Sequence, residues 1–265
     1  MKPASTLPFG RAIVDRRTGL PVGPIAPIYR EDWPFREICD QQILWRYLDL
    51  FKFEDLLRTS TLYFSRPDKF KDPFEGRFSP GNLVKRSNSE ELFRSLYKIG
   101  DDQPEPAAYH EIHRNVVFIS CWHRNTRESW EMWKAYTRSP ESVVITTSAK
   151  ALKQFLPREI MKFAVRYAPL DFPRTEFSHN SLFFYKPSEY HIEQEFRLLR
   201  SPEKDEVFDF SAPKDAFRKI PIRTRKIVHR VITHPQASDR TKTRVDDMLR
   251  TWLPGVRRCN SALEI

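Results

Sequence analysis

Glycine is scarce in this 265-residue chain: there are seven in all, and none is arranged as a phosphate-cradling loop. Dinucleotide-binding folds, P-loop enzymes and protein kinases need glycines where backbone approaches phosphate, so the scarcity argues against all three. A nucleophile elbow is missing too. Cys39, Cys121 and Cys259 are scattered and odd in number, which fits reduced thiols and excludes a four-cysteine zinc site. No apolar run reaches eighteen residues, and the opening residues Met1 to Pro8 lack an apolar signal core. The expectation is a cytoplasmic protein without a membrane span.

Hydrophobic residues make up 40% of the chain and aromatic residues 13%, enough for a substantial core. Lys and Arg number 45 against 35 Asp and Glu, a formal net charge of +10. Much of the excess lies in Arg218-Lys219, Arg223 to Lys226, Arg230 and the run from Arg240 to Arg250. Such a run is by default a solvated face. The alternative is contact with a polyanion, making nucleic acid a candidate partner through the C-terminal quarter.

Residues 1–40 read as a proline-rich arm, carrying Pro3, Pro8, Pro21, Pro24, Pro27 and Pro34 without helical or strand period. Residues 41–265 read as one α+β domain, a mixed and mainly antiparallel sheet flanked by helices. Strands are expected at Ile43 to Tyr47, Thr61 to Ser65, Asn115 to Trp122, Ser142 to Thr147, Lys162 to Tyr167, Lys226 to Thr233 and Val256 to Ile265. Helices are expected near Phe53 to Thr59, Ser89 to Ile99, Ser148 to Leu156 and Asp239 to Trp252, the last capped by Ser238. Between Glu128 and Tyr136, Trp133 and Tyr136 recur at helical spacing, as core or as a surface on which a ring stacks.

The stretch from Ile192 to Arg200 alternates as a strand and puts Glu193, Glu195 and Arg197 on one face. In water this is a simple charge ladder. Partial burial would raise one carboxylate and make it an acid or base. Asp72, before Pro73, is either a turn former or a pocket carboxylate, with Glu75 close behind. Asp72, Glu75, Glu193, Glu195 and Lys186 also supply the residue types of a metal-dependent nuclease, without a specific spacing. His110 and His113 beside Glu111 make only a weak metal motif, and no metal is expected.

The order of short motifs resembles a mostly bacterial family known as a domain of unknown function, number twenty-nine seventy-one. The pieces are Trp45-Arg46-Tyr47, Leu62 to Pro67 with Phe70 and Asp72 to Glu75, Ile119 to Trp122, Met132 to Tyr136, Val165 to Tyr167, and Lys186 with Glu193 to Leu198. A second resemblance is to ADP-ribosyltransferases, whose arginine, serine and glutamate set is similar in order to Arg46, Ser120 and the E-x-E pair Glu193 and Glu195. It implies NAD as substrate, with Arg46 and Ser120 holding the nucleotide, Tyr47 and Trp133 stacking on a ring, and Glu195 stabilising an oxocarbenium-like ribose. Glu193 would orient the acceptor, and Tyr136, Lys186 and Arg197 would line the pocket. The expected role is a bacterial toxin or antiphage effector that modifies nucleic acid or protein, with a partner or antitoxin protein. A metal-dependent nuclease and a non-catalytic module binding nucleic acid or a partner remain the alternatives.

Overall fold

The structure is a computed structural model that describes residues 38–78, 80, 114–170, 179–201 and 215–263. Most of the proline-rich arm, the expected helix from Ser89 to Ile99 and the His110–His113 pair lie outside these residues.

The strands are β1 (Ile43–Asp49), β2 (Thr61–Ser65), β3 (Phe118–Arg124), β4 (Ser142–Ser148), β5 (Ile160–Ala164), β6 (Arg166–Ala168), β7 (Tyr185–Pro187), β8 (Glu195–Arg200), β9 (Phe217–Pro221), β10 (Arg230–Thr233) and β11 (Arg258–Cys259). The helices are α1 (Leu50–Thr59), α2 (Trp130–Tyr136), α3 (Ala149–Phe155), α4 (Thr224–Ile227) and α5 (Asp239–Trp252). Nine strands form one sheet in the order β11-β10-β4-β1-β3-β2-β9, with β8 on β3 and β5 on β8. Every pairing in it is antiparallel except β10 with β11. A separate parallel pair joins β6 to β7.

Strand alternation divides the core between two faces. On one face Leu44, Leu48, Phe64, Phe118, Trp122, Ile145 and Leu198 meet α1, α3 and α5. On the other, Trp45, Tyr47, Val144 and Ile232 pack under Met132 and Trp133 of α2. That second face continues as Ile119, Phe163 and Leu199 beneath Phe183 and Phe184. Three helices begin as the sequence dictates, with Ser129, Ser148 and Ser238 each accepting a backbone N–H from the first turn.

Several local expectations need correction. Residues 188–193 form a 3-10 turn instead of extending β8, and Gln194 adopts a left-handed φ of 39° before the strand begins. The alternation through Lys226 to Thr233 is broken because Thr224–Ile227 coils into α4, burying Thr224 and Ile227. The last strand shrinks to Arg258–Cys259. The Arg218-Lys219 charge run conceals edge strand β9.

One feature of the sheet positions the site. Strand β8 takes one edge of β3 from Phe118 to His123. Both β1 and β2 must therefore share the opposite edge, β1 at Trp45↔His123 and Leu44↔Arg124, β2 at Ser65↔Ile119. Between these contacts the sheet splits, leaving a seam beside Ser120, Cys121 and Trp122.

Candidate functional site

Arg46 fills that seam. Its Nη1 donates to Ser120 Oγ and its Nη2 to the carbonyl of Tyr63 at 2.9 Å. The guanidinium also lies 5.6 Å from the centre of the Trp122 ring. These partners are neutral, and among the described residues no carboxylate pairs with Arg46. Loss of water lowers its pKa to about 10, which nearby Cys121 and Tyr63 only partly oppose.

On the other face a charged network surrounds the E-x-E pair. Lys186 Nζ donates to Glu193 Oε2 at 2.6 Å and to Glu195 Oε1 at 2.7 Å. Arg197 Nε donates to Glu195 Oε2 at 2.6 Å, and its two terminal nitrogens grip Glu75, each at 2.6 Å. Arg197 Nη1 donates further to the carbonyl of Phe183 at 2.8 Å. Tyr136 closes the outer side, its hydroxyl donating to Glu193 Oε2 at 2.8 Å. Arg197 has 0% side-chain exposure, Glu195 3% and Glu193 15%. A carboxylate with a completed set of charge-assisted bonds tolerates such burial, whereas a lone one does not.

Electrostatics separates the two glutamates. Burial alone would raise Glu195, but Arg197 and Lys186 hold it well below the ordinary carboxylate range. Burial and the neighbouring charge of Glu195 push Glu193 up to about 7, with Lys186 opposing. Burial raises Glu75 as well, against the pull of Arg197. Burial would lower Lys186, but the carboxylates around it, Glu195 foremost, keep it above its usual value. The Tyr136 ring is 36% exposed, yet its hydroxyl turns inward, and burial together with Glu195 and Glu193 raises it well above 10. A carboxylate pair pushed apart in this way can divide acid and base duties.

The predicted residues therefore come together in two groups. Arg46 and Ser120 project from the face that carries Trp122, while Glu195 and Arg197 project from the opposite face. Cys121, on β3 between them, lies within electrostatic reach of both Arg46 and Glu195. Glu193 is off the strand, brought to Lys186 by the left-handed turn at Gln194. Asp72 closes its own turn, its Oδ1 accepting from Phe74 N at 2.8 Å, while it lies buried near Tyr190. Tyr47 and Trp133 are core residues, 6% and 1% exposed, packed edge to face at 4.9 Å. The Tyr47 hydroxyl accepts from Ser129 N and Trp133 Nε1 donates to Glu128, so neither offers a ring face to a ligand. The carboxylates named for a nuclease are engaged by Lys186 and Arg197 or by backbone, and among the described residues no three His, Cys, Asp or Glu side chains are placed to hold a metal.

Three members were not among the expected site residues. Tyr167 accepts the Glu195 backbone N–H at 2.8 Å, Tyr190 places its ring 4.5 Å from Lys186 Nζ, and Arg114 Nε donates to the Glu75 carbonyl at 2.7 Å. Tyr190 lies four residues after Lys186 and Tyr167 closes the Val165 to Tyr167 motif, whereas Arg114 carries no local signal.

No family model matches the chain, and no curated protein matches it significantly. Among solved structures it is similar to Thermus sp. 2.9 DarT in complex with ADP-ribosylated ssDNA, at 12% identity over 86% of this chain and 97% of that one, with a TM-score of 0.38. The NAD+ complex of the same protein gives 12% identity, 84% and 96% coverage and a TM-score of 0.38. The carba-NAD+ complex gives 11%, 86% and 97%, with a TM-score of 0.39. Overlap of this extent assigns neither fold nor activity. The residues of the seam and the network stand on their own geometry.

Proposed function

We propose that the protein cleaves the nicotinamide–ribose bond of NAD and transfers ADP-ribose to a macromolecule. The observation that carries this reading is the guanidinium of Arg46, partly buried in the seam and held, among the described residues, by neutral partners. A desolvated cation without an anion is costly and fits a ligand that brings its own negative charge, as a pyrophosphate does.

The E-x-E network, which projects from the opposite face of β3 and acts on the same Cys121 that Arg46 feels, supplies the rest of the chemistry. When the C1′–N1 bond breaks, its electron pair leaves with nicotinamide and positive charge develops on the ribose. A fixed carboxylate in a water-poor site stabilises that charge without reorganising. Glu195 is held ionised for this by Lys186 and Arg197. Glu193, the more exposed of the pair and poised at about 7, is the base that takes the proton of the attacking acceptor. Lys186 sets the position of both.

Nucleic acid is the acceptor favoured by charge. Lys242, Arg244, Arg250 and Arg258 are spent on Asp239, Glu54, Asp247 and Asp246. Arg223, Arg225, Lys226 and Arg230 are exposed, and among the described residues they have no acidic partner. As a toxin or antiphage effector such an enzyme would be restrained by a partner protein.

The test is nicotinamide release from NAD by purified protein, with single-stranded DNA, RNA and protein extract each offered as acceptor. Release by the parent should fall by about a hundredfold or more in Glu193→Gln or Glu195→Gln. No release with any acceptor would sink the proposal.

A further inference from the structure

Two of the exposed large apolar side chains are stacked on one another at the edge of the sheet. Tyr63 and Phe217 are 42% and 41% exposed, with ring centroids 4.8 Å apart and planes within 23°. Tyr63 lies opposite Lys219 and Phe217 opposite Ser65 in the β2–β9 ladder, so the rings are diagonal neighbours on one face. A cross-strand pair that only stabilised an edge would need nothing beyond itself. This one adjoins the seam, because the carbonyl of Tyr63 is the acceptor for Arg46 Nη2. The phenol of Tyr63 is also within electrostatic reach of the Arg46 guanidinium.

We propose that the Tyr63–Phe217 pair is a stacking platform for the planar base of a nucleotide whose phosphate is held by Arg46. The inference rests on the reading of Arg46 as a phosphate site, and it fills the stacking role that buried Tyr47 and Trp133 cannot take. An exposed π face near a cation that has no acidic partner among the described residues matches the alternation of base and phosphate in any nucleotide. The base belongs either to the adenylate half of a dinucleotide donor or to a single-stranded acceptor. Both present the same chemistry, and binding measurements separate them.

The full chain would be titrated with ADP-ribose, with inorganic pyrophosphate and with a short single-stranded DNA oligonucleotide, beside Tyr63→Leu, Phe217→Leu and the ring-retaining Tyr63→Phe. The leucine variants should weaken either ADP-ribose or the oligonucleotide by about tenfold or more. Loss on ADP-ribose assigns the base to the donor, and loss on the oligonucleotide assigns it to the acceptor. Pyrophosphate binding should be unchanged, and Tyr63→Phe should match the parent. Unaltered affinity of the leucine variants for both nucleotides overturns the platform. Absence of pyrophosphate binding in the parent overturns its Arg46 half and the proposal with it. Should the leucine variants fail to fold, the ring resonances of Phe217 in the parent, assigned against Phe217→Tyr, carry the test; resonances unmoved by saturating ligand overturn it. Nicotinamide release enters none of these measurements, so ligand binding without turnover would sink the transferase reading and leave this one standing.

Discussion

Glu193 and Glu195 grip a single ammonium, that of Lys186, at 2.6 and 2.7 Å, yet their ionisation is driven in opposite directions. Arg197 makes the difference, contacting Glu195 at 2.6 Å and completing a chain from Glu75 to Lys186. Among the described residues Glu193 has only Lys186 as a cationic partner, and it feels the charge of Glu195 beside it.

A pH dependence of stability follows. The folded value of Glu193, about 7, lies above that of an unfolded glutamate near 4.3. The folded state holds the extra proton, so this contribution is complete below the unfolded value and is lost as pH rises toward 7. Glu195 works the other way: its contribution is present above the ordinary carboxylate range and lost as pH falls through its depressed folded value. In urea titrations the stability of the parent relative to Glu193→Gln should fall between about pH 4.5 and 7.5 and then level off. A difference that stays flat across this range would mean that Glu193 titrates normally.

Among the described residues Arg197 should be the most stability-critical charge. Replacing it with Met leaves Glu75 and Glu195 buried without their shared cation, a change that costs about 3–5 kcal/mol. Adding Glu75→Gln and Glu195→Gln to Arg197→Met should recover much of the loss, because the penalty comes from stranded charge and not from missing bulk. Chemical denaturation of the single and triple variants at pH 7 decides the matter. Equal losses in both would point to packing instead.

Gly76 ties the loop that supplies Glu75 to this network. Its φ is +69°, and a Cβ placed there would lie 2.2 Å from Cε1 of Phe183, whose carbonyl accepts from Arg197. Left-handed strain and the steric clash together predict that Gly76→Ala costs about 2 kcal/mol or more. The ring of Phe183 is 1% exposed, so it has little room to yield. Thermal denaturation of Gly76→Ala, beside Gly255→Ala as a left-handed control with open space around it, separates the clash from the strain.

What the sequence disclosed followed local periodicity. Helix α5 lies at Asp239–Trp252, as the Ser238 cap predicts, and β1 to β4 fall within a few residues of their expected positions. Glu193 and Glu195 stand out by spacing, but their separation in ionisation depends on Arg197 reaching Glu75, 122 positions away, which no local pattern carries. The seam arises because β1 and β2 compete for one edge of β3, a property of topology. Strand β9 is hidden for a related reason. Its alternating exposure, with Phe217, Lys219 and Pro221 outward, belongs to an edge whose apolar partners lie far off in β2.

Arg46 offers a test in which stability and function should move in opposite directions. A desolvated guanidinium without a carboxylate costs the folded state, and the lowering of its pKa to about 10 reflects that cost. Arg46→Met keeps much of the aliphatic length in the seam and removes the charge, so it should leave the protein as stable as the parent or more stable by about 1 kcal/mol. The parent alone should then gain thermal stability on adding pyrophosphate, since a ligand that binds only the folded state stabilises by mass action. Arg46→Met should show no such gain at any pyrophosphate concentration. A variant markedly less stable than the parent would mark Arg46 as a structural tie between Ser120 and Tyr63, and pyrophosphate stabilisation that survives in Arg46→Met would place the anion site elsewhere.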